Sequence, residues 1–151
     1  MCDAVRQLVK ESMSEFGSIK RNVQRREGGS DWTPSINVPG ALDCDGQTDR
    51  DVGSSVSCTI ADYPTAAQAS GVYGTLVEQM KVCLDSRFVF SERQGGKASR
   101  RTTPISEATF EIKGRNDGPD GPSVRVNLQE FHRSTRSGYE VLLWVDGIEK
   151  E

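Results

Sequence analysis

The four cysteines, Cys2, Cys44, Cys58 and Cys83, have the most definite chemistry in this sequence. A structural zinc site takes four Cys or His ligands, usually in closely spaced pairs. No CxxC pair occurs here, and His132 is the only histidine. The sequence therefore predicts no metal site and no cofactor, and it favours two disulfide bonds over four buried thiols. Disulfides in turn indicate an oxidising compartment, periplasmic or secreted.

Helical spacing favours one of the three ways to pair these cysteines. Cys2 and Cys83 each stand at helical spacing from apolar residues, so each is expected on the buried stripe of its own helix. We predict the bonds Cys2–Cys83 and Cys44–Cys58. Cys2 could alternatively carry a lipid anchor, as the first residue of mature bacterial lipoproteins does, but no lipobox precedes it.

For nucleophilic catalysis the chain offers one general base, His132, the only side chain whose ordinary pKa lies near neutrality. The sequence has no GxSxG motif to mark a nucleophilic serine. A catalytic triad needs its members to meet only in space. A small hydrolase or transferase using His132 is therefore retained as an alternative function.

Basic side chains cluster in two predicted loops, while one tryptophan lies on the last predicted strand. Such residues suit recognition of an acidic partner protein, with the aromatic as an energetic anchor. A net charge of −3 and the lack of interleaved aromatics argue against nucleic acid. The predicted partner-binding residues are Arg93, Lys97, Arg100, Arg101, Arg133, Arg136 and Trp144.

Two helices are expected to support these loops. Residues 3–20 carry apolar side chains at three- and four-residue steps, and the basic segment 20–26 is expected to end that helix. Thr65 and Gln68 form a capping box for the second helix. Gly71 and Gly74 lower its helical propensity, which we interpret as close packing of another backbone.

The remaining segments are predicted to form strands and loops. Short strands are expected at Ser35–Val38 and Val56–Ile60, with a loop at 43–54 between them. After the second helix, the apolar residues alternate with period two, which is typical of antiparallel strands. We find no internal repeat.

These elements predict a single α+β domain over residues 1–151. The expected architecture is a curved antiparallel β-sheet of about five to seven strands, with two helices packed on one face. A chain of 151 residues with 34% hydrophobic residues supports one modest core. No apolar run is long enough for a membrane-spanning helix.

The function that the sequence favours is an exported, disulfide-stabilised, non-catalytic binding protein, such as an inhibitor or immunity-type partner of another exported protein. A second alternative comes from the order helix, strands, helix, strands in an acidic chain. In order and size, it resembles type III secretion chaperones, which are cytoplasmic dimers that bind unfolded effector segments. The cysteines and the all-strand C-terminal half depart from that family.

Overall fold

The computed structural model describes residues 1–113 and 119–147. Two helices and eight strands follow one another along the chain. Their bounds are α1 Cys2–Ser12, β1 Lys20–Arg26, β2 Gly29–Pro34, β3 Asp43–Asp49, β4 Gly53–Tyr63, α2 Ala66–Cys83, β5 Phe88–Gln94, β6 Thr102–Lys113, β7 Pro119–His132 and β8 Ser137–Asp146. The α+β class is confirmed.

All strands join one open antiparallel sheet in the order β1-β2-β3-β4-β8-β7-β6-β5. The predicted five to seven strands are too few, since the sheet has eight. Each half of the chain is a helix followed by a four-strand meander, and the halves meet where β4 pairs with β8. This structural repeat has no counterpart that we could see in the sequence.

The first helix is shorter than its apolar pattern predicts. It ends at Ser12 because the next turn contains two residues with left-handed backbone, Glu15 at φ 56° and Phe16 at φ 59°. The Phe16 N–H donates to the Glu11 carbonyl at 2.8 Å, which folds Phe16 back into the core. The segment 20–26, predicted as a helix end, is therefore free to form the edge strand β1.

The strand predicted at Val56–Ile60 is confirmed as part of β4, but one strand and one loop predicted between the helices are wrong. Residues 35–38 lie in a loop, because the strand of that region is β2 and ends at Pro34. Residues 43–49, predicted as loop, form β3. In β3, exposed acidic or amide side chains alternate with small or half-buried ones. A strand is usually recognised from large apolar residues at every second position, and β3 has none.

The core lies between one face of the sheet and the two helices. Central strands β7 and β8 contribute a row of fully buried aliphatic side chains, and α2 and α1 cover them. This row consists of Val124, Val126, Leu128, Val141, Leu143 and Val145, and the buried helix residues over the sheet include Leu8, Leu76 and Met80. The opposite face of the sheet, here called the open face, has no helix over it among the described residues.

Both predicted disulfides are confirmed. Cys2–Cys83 joins the start of α1 to the end of α2, with a Cα–Cα distance of 5.0 Å. Cys44–Cys58 links cross-strand neighbours of β3 and β4, 4.1 Å apart at Cα. Because the Cys2 sulfur is in a disulfide bond, it cannot also carry a lipid, so the alternative of a lipid anchor at Cys2 is not compatible with this structure.

The second helix begins as predicted, but its glycines have a different explanation. The Thr65 side chain accepts a hydrogen bond from the Gln68 N–H. A Cβ added at Gly71 or Gly74 would meet no atom within 4 Å, so no backbone packs closely against either glycine. Both lie on the solvent-exposed side of α2, where burial of the opposite side offsets their low helical propensity.

Replacing Gly71 and Gly74 with alanine is therefore expected to stabilise the fold. Each substitution should raise the free energy of unfolding by about 0.5–1 kcal/mol, because alanine has less backbone freedom to lose and no steric conflict here. Urea denaturation of both single variants measures this change.

Gly46→Ala provides the opposite control. Its added Cβ would overlap the indole ring of Trp32, which is 3% exposed. Overpacking of this kind costs about 1–3 kcal/mol. A loss of stability in Gly71→Ala or Gly74→Ala would contradict the assignment of open space at those positions.

Candidate functional site

The two predicted basic loops meet at one end of the sheet. The loop between β5 and β6 and the turn between β7 and β8 lie side by side, because the His132 N–H donates to the Arg101 carbonyl at 2.7 Å. We call this cluster the basic end; its residues are Lys97, Arg100, Arg101, Arg133 and Arg136. Sequence reasoning found these residues but had no means of showing that the two loops adjoin.

The β5–β6 loop is ordered by its own hydrogen bonds. Ser99 is the organising residue: its N–H donates to the Thr102 carbonyl at 2.8 Å, and its hydroxyl accepts from the Thr102 N–H at 3.1 Å. In the described part of the chain, Lys97, Arg100 and Arg101 form no ion pair. Their side chains are exposed, so these charges face solvent without an ionic partner among the described residues.

Phe131 organises the other half of the basic end. Its ring is 2% exposed, and the guanidinium carbons of Arg133 and Arg136 lie 4.5 Å and 4.9 Å from its centroid. Arg133 also pairs with buried Glu140 at 3.4 Å, and Arg136 with Asp62 at 3.0 Å. These contacts hold both guanidinium groups in place while leaving about half of each side chain exposed.

Arg93 lies below the basic end on β5. Its guanidinium is 3.4 Å from the Glu107 carboxylate, with 70% of its side chain exposed. Glu107 also accepts from the Asn127 amide at 3.2 Å. Arg93 is thus directed across the open face of the sheet, apart from Lys97, Arg100 and Arg101.

Trp144 lies elsewhere on the open face. It is six residues from Gly138 along β8, which is about 20 Å at the usual rise of a strand. The Arg125 guanidinium carbon lies 5.1 Å from the indole centroid. The structure therefore does not bring Trp144 together with the basic end, although both belong to the predicted partner-binding set.

A cleft of about 390 Å³ adjoins Trp144. Two strands at the far side of the cleft carry carboxylates, Asp31 on β2 and Asp45 on β3. Partial burial raises the pKa of Asp45, and the neighbouring charges of Asp43 and Asp31 raise it further. The residues that line the cleft include these two carboxylates and no Lys or Arg, so the cleft is opposite in sign to the basic end.

A second polar cleft, of about 340 Å³, crosses the open face on the other side of Trp144. The Arg125–Asp146 ion pair at 2.9 Å lies in it, and Glu107 lines it as well. Sequence reasoning considered Glu107 only as one of a carboxylate pair with Glu111, and it missed Arg125 and Asp146. The alternation of Arg125 and Asp146 with apolar residues along β7 and β8 was the available signal, but it predicts only an outward direction, not which strands become neighbours.

His132 has the geometry of a surface residue. Its Nε2 lies 3.7 Å from Glu130, and 41% of the side chain is exposed. Across residues 1–113 and 119–147, no Ser, Thr or Cys side chain makes a hydrogen bond to its ring. The arrangement lacks the nucleophile-to-base contact that a hydrolase of this type uses.

The described residues contain no group of three or more His, Cys, Asp or Glu side chains placed to hold a metal ion. Neither described helix combines the length and apolar character needed to cross a bilayer. The chain matches no family model, no curated protein and no solved structure. The resemblance to secretion chaperones therefore rests only on element order and size, and it conflicts with the joining of all four cysteines in disulfides.

Proposed function

We propose that this protein is an exported, non-catalytic binding protein that recognises an acidic surface of another exported protein through its basic end. The observation that supports this most is the combination of unpaired and pre-positioned cations at one end of the sheet. Lys97, Arg100 and Arg101 have no carboxylate partner in the described chain, and they adjoin the two arginines held on Phe131.

Export is supported by the two disulfides, because such bonds persist in oxidising compartments and are rare in the cytosol. They join all four cysteines of the chain, so no thiol remains for catalysis. An inhibitor or immunity-type role needs a rigid surface rather than a reactive group. A fold cross-linked by two disulfides provides a rigid surface.

The two halves of the basic end would contribute differently to binding. Arg133 and Arg136 are already ordered by Phe131, Glu140 and Asp62, so binding would immobilise them at little further entropic cost. The unpaired charges of the β5–β6 loop would act over a longer range and accelerate association with an acidic partner. Guanidinium groups can also bind carboxylates in a bidentate manner, which adds specificity.

A capture experiment with charge-reversal variants tests this proposal. Immobilised wild-type protein, with its disulfides intact, is exposed to the extracytoplasmic fraction of the source organism, and retained proteins are identified by mass spectrometry. Arg100→Glu together with Arg101→Glu should weaken retention of the specific partner by at least about tenfold, since attraction becomes repulsion. Retention should also fall as salt is added.

Arg21→Glu with Arg25→Glu is the matched control, because it reverses the same charges on exposed strand β1 at the far edge of the sheet. It should retain the partner as the wild type does. Trp144→Ala shows whether the interface extends along the open face. Retention of no specific protein, or equal retention by the Arg100 and Arg101 variant, would refute recognition through the basic end.

A further inference from the structure

The two edges of the sheet differ in how well they could accept another strand. The β1 edge is irregular: its register shifts between Arg21 and Gln24, and Asn22 has a left-handed φ of 51°. It is also strongly basic along Lys20–Arg26. Bulges and charges of this kind are what natural proteins use to prevent pairing at a sheet edge.

The β5 edge has neither a bulge nor a run of like charges. Phe88–Gln94 pairs with β6 in an unbroken register, and β6 is its only strand partner in the described sheet. Val89 and Phe90 are 49% and 39% exposed. A regular edge strand with exposed apolar residues is a template for pairing with another chain.

The backbone groups that point outward from this edge can be identified. The Gly95 N–H donates to the Ile105 carbonyl at 2.7 Å, so Gly95 directs its backbone groups toward β6. Because these directions alternate along a strand, the N–H and C=O groups of Phe90, Glu92 and Gln94 and the C=O of Phe88 face the open edge, while the Phe88 N–H donates to the Asp85 carbonyl at 3.2 Å.

We propose that two copies of this protein form a dimer by antiparallel pairing of their β5 strands around a two-fold axis at Ser91. This register pairs Phe90 with Glu92 of the second copy and Phe88 with Gln94. It uses all of the outward-facing residues of both strands, and it places the helices of both copies on the same side of a continuous sheet. A shift centred on Glu92 would instead set two carboxylates opposite each other.

Charges on α2 and β5 favour a second copy as the occupant. Lys81 Nζ lies 4.5 Å from the centroid of the Phe90 ring, on the helix side of the sheet. In the dimer, Phe90 lies directly opposite Glu92 of the second copy, so Lys81 comes within reach of that carboxylate. The two-fold axis repeats this Lys81–Glu92 contact, giving two intermolecular ion pairs.

Glu92 is available for this contact. Its carboxylate accepts a hydrogen bond from the Tyr73 hydroxyl at 2.7 Å. Burial and the neighbouring Glu92 raise the pKa of Tyr73, so the hydroxyl remains a donor near neutral pH. No cation pairs with Glu92 in the described chain, and the one ion pair of Lys81 there is with Glu78, whose side chain is 72% exposed.

The test is the mass of the full, oxidised chain measured by sedimentation equilibrium over a range of concentrations. The wild type should form dimers as concentration rises. Lys81→Glu and Glu92→Lys should each weaken the dimer by at least about tenfold, since each places like charges together at two symmetric positions. Arg25→Glu on the β1 edge should leave the dimer unchanged.

Mixing the two variants gives the decisive result. A Lys81→Glu chain carries only acidic residues at these positions and a Glu92→Lys chain only basic ones, so a mixed dimer has two complementary pairs. Each variant alone should be monomeric, and the mixture of the two should form dimers. Variants that were monomeric because of a folding defect would not recover dimers on mixing. A monomeric wild type, unchanged variants, or no recovery on mixing would each overturn the proposal.

Amide hydrogen exchange of the wild type provides a test without substitutions. The N–H groups of Phe90 and Glu92 should exchange slowly at concentrations where the dimer forms and rapidly on dilution. Ser91, whose N–H faces β6, should change much less. Exchange at Phe90 and Glu92 that is independent of concentration would also contradict pairing at this edge.

Discussion

Replacing Cys2 and Cys83 together with alanine is expected to lower the free energy of unfolding by about 4.5 kcal/mol in the chain-entropy treatment of cross-links. The expected loss is large because this bond joins residues 81 positions apart and so restricts most of the unfolded chain's first half. The variant should unfold at a clearly lower urea concentration. Equilibrium denaturation monitored by tryptophan fluorescence measures the difference.

The second disulfide provides the matched comparison. Cys44 and Cys58 are separated by 14 positions, so their removal should cost less, about 3 kcal/mol by the same treatment. Each disulfide joins one buried and one partly buried cysteine, so the two double substitutions remove similar amounts of buried side chain. Equal losses for the two variants, or a larger loss for Cys44 and Cys58, would show that loop length does not set the contribution of these bonds.

Phe131→Ala is expected to destabilise the fold by about 3–5 kcal/mol, the usual cost of emptying a buried aromatic site. The ring is 2% exposed and packs against Gly138. Glycine has no side chain that could move into the cavity left by the ring. The same change removes the surface on which Arg133 and Arg136 rest. Denaturation and partner capture should therefore both be affected.

Phe131→Leu separates the two effects. Leucine retains much of the buried volume, so the stability cost should fall to about 1–2 kcal/mol. It has no π face, however, and the stacked guanidinium groups would lose about 0.5–1 kcal/mol each. A leucine variant that is well folded and still binds as tightly as the wild type would show that ordering by the ring does not contribute to recognition.

The parts of the fold that sequence reasoning predicted were those with strong local signals. Thr65 and its capping box marked the start of α2, and helical phase paired Cys2 with Cys83. The period-two pattern of β8 was visible because large aliphatic residues fill its inward positions. These signals depend on neighbours in the sequence, so one chain is enough to reveal them.

The missed parts depend on tertiary structure or on weak patterns. Phe16 belongs to the helical pattern of α1, but it enters the core through a left-handed turn that propensity does not predict. Gly46 in β3 is required by the Trp32 ring, which only the fold places there. Likewise, the residues of the basic end could be selected by charge, whereas their adjacency depends on the pairing of β6 with β7.

The central pairing of β4 with β8 sets limits on when the chain can acquire its native topology. Ser55 pairs with Asp146, so one side of β4 has no ladder partner until residues far along the polypeptide have been synthesised. Contacts between such distant positions carry a high loop-closure cost and form slowly. A nascent chain can therefore complete this sheet only after its last strand, β8, has emerged.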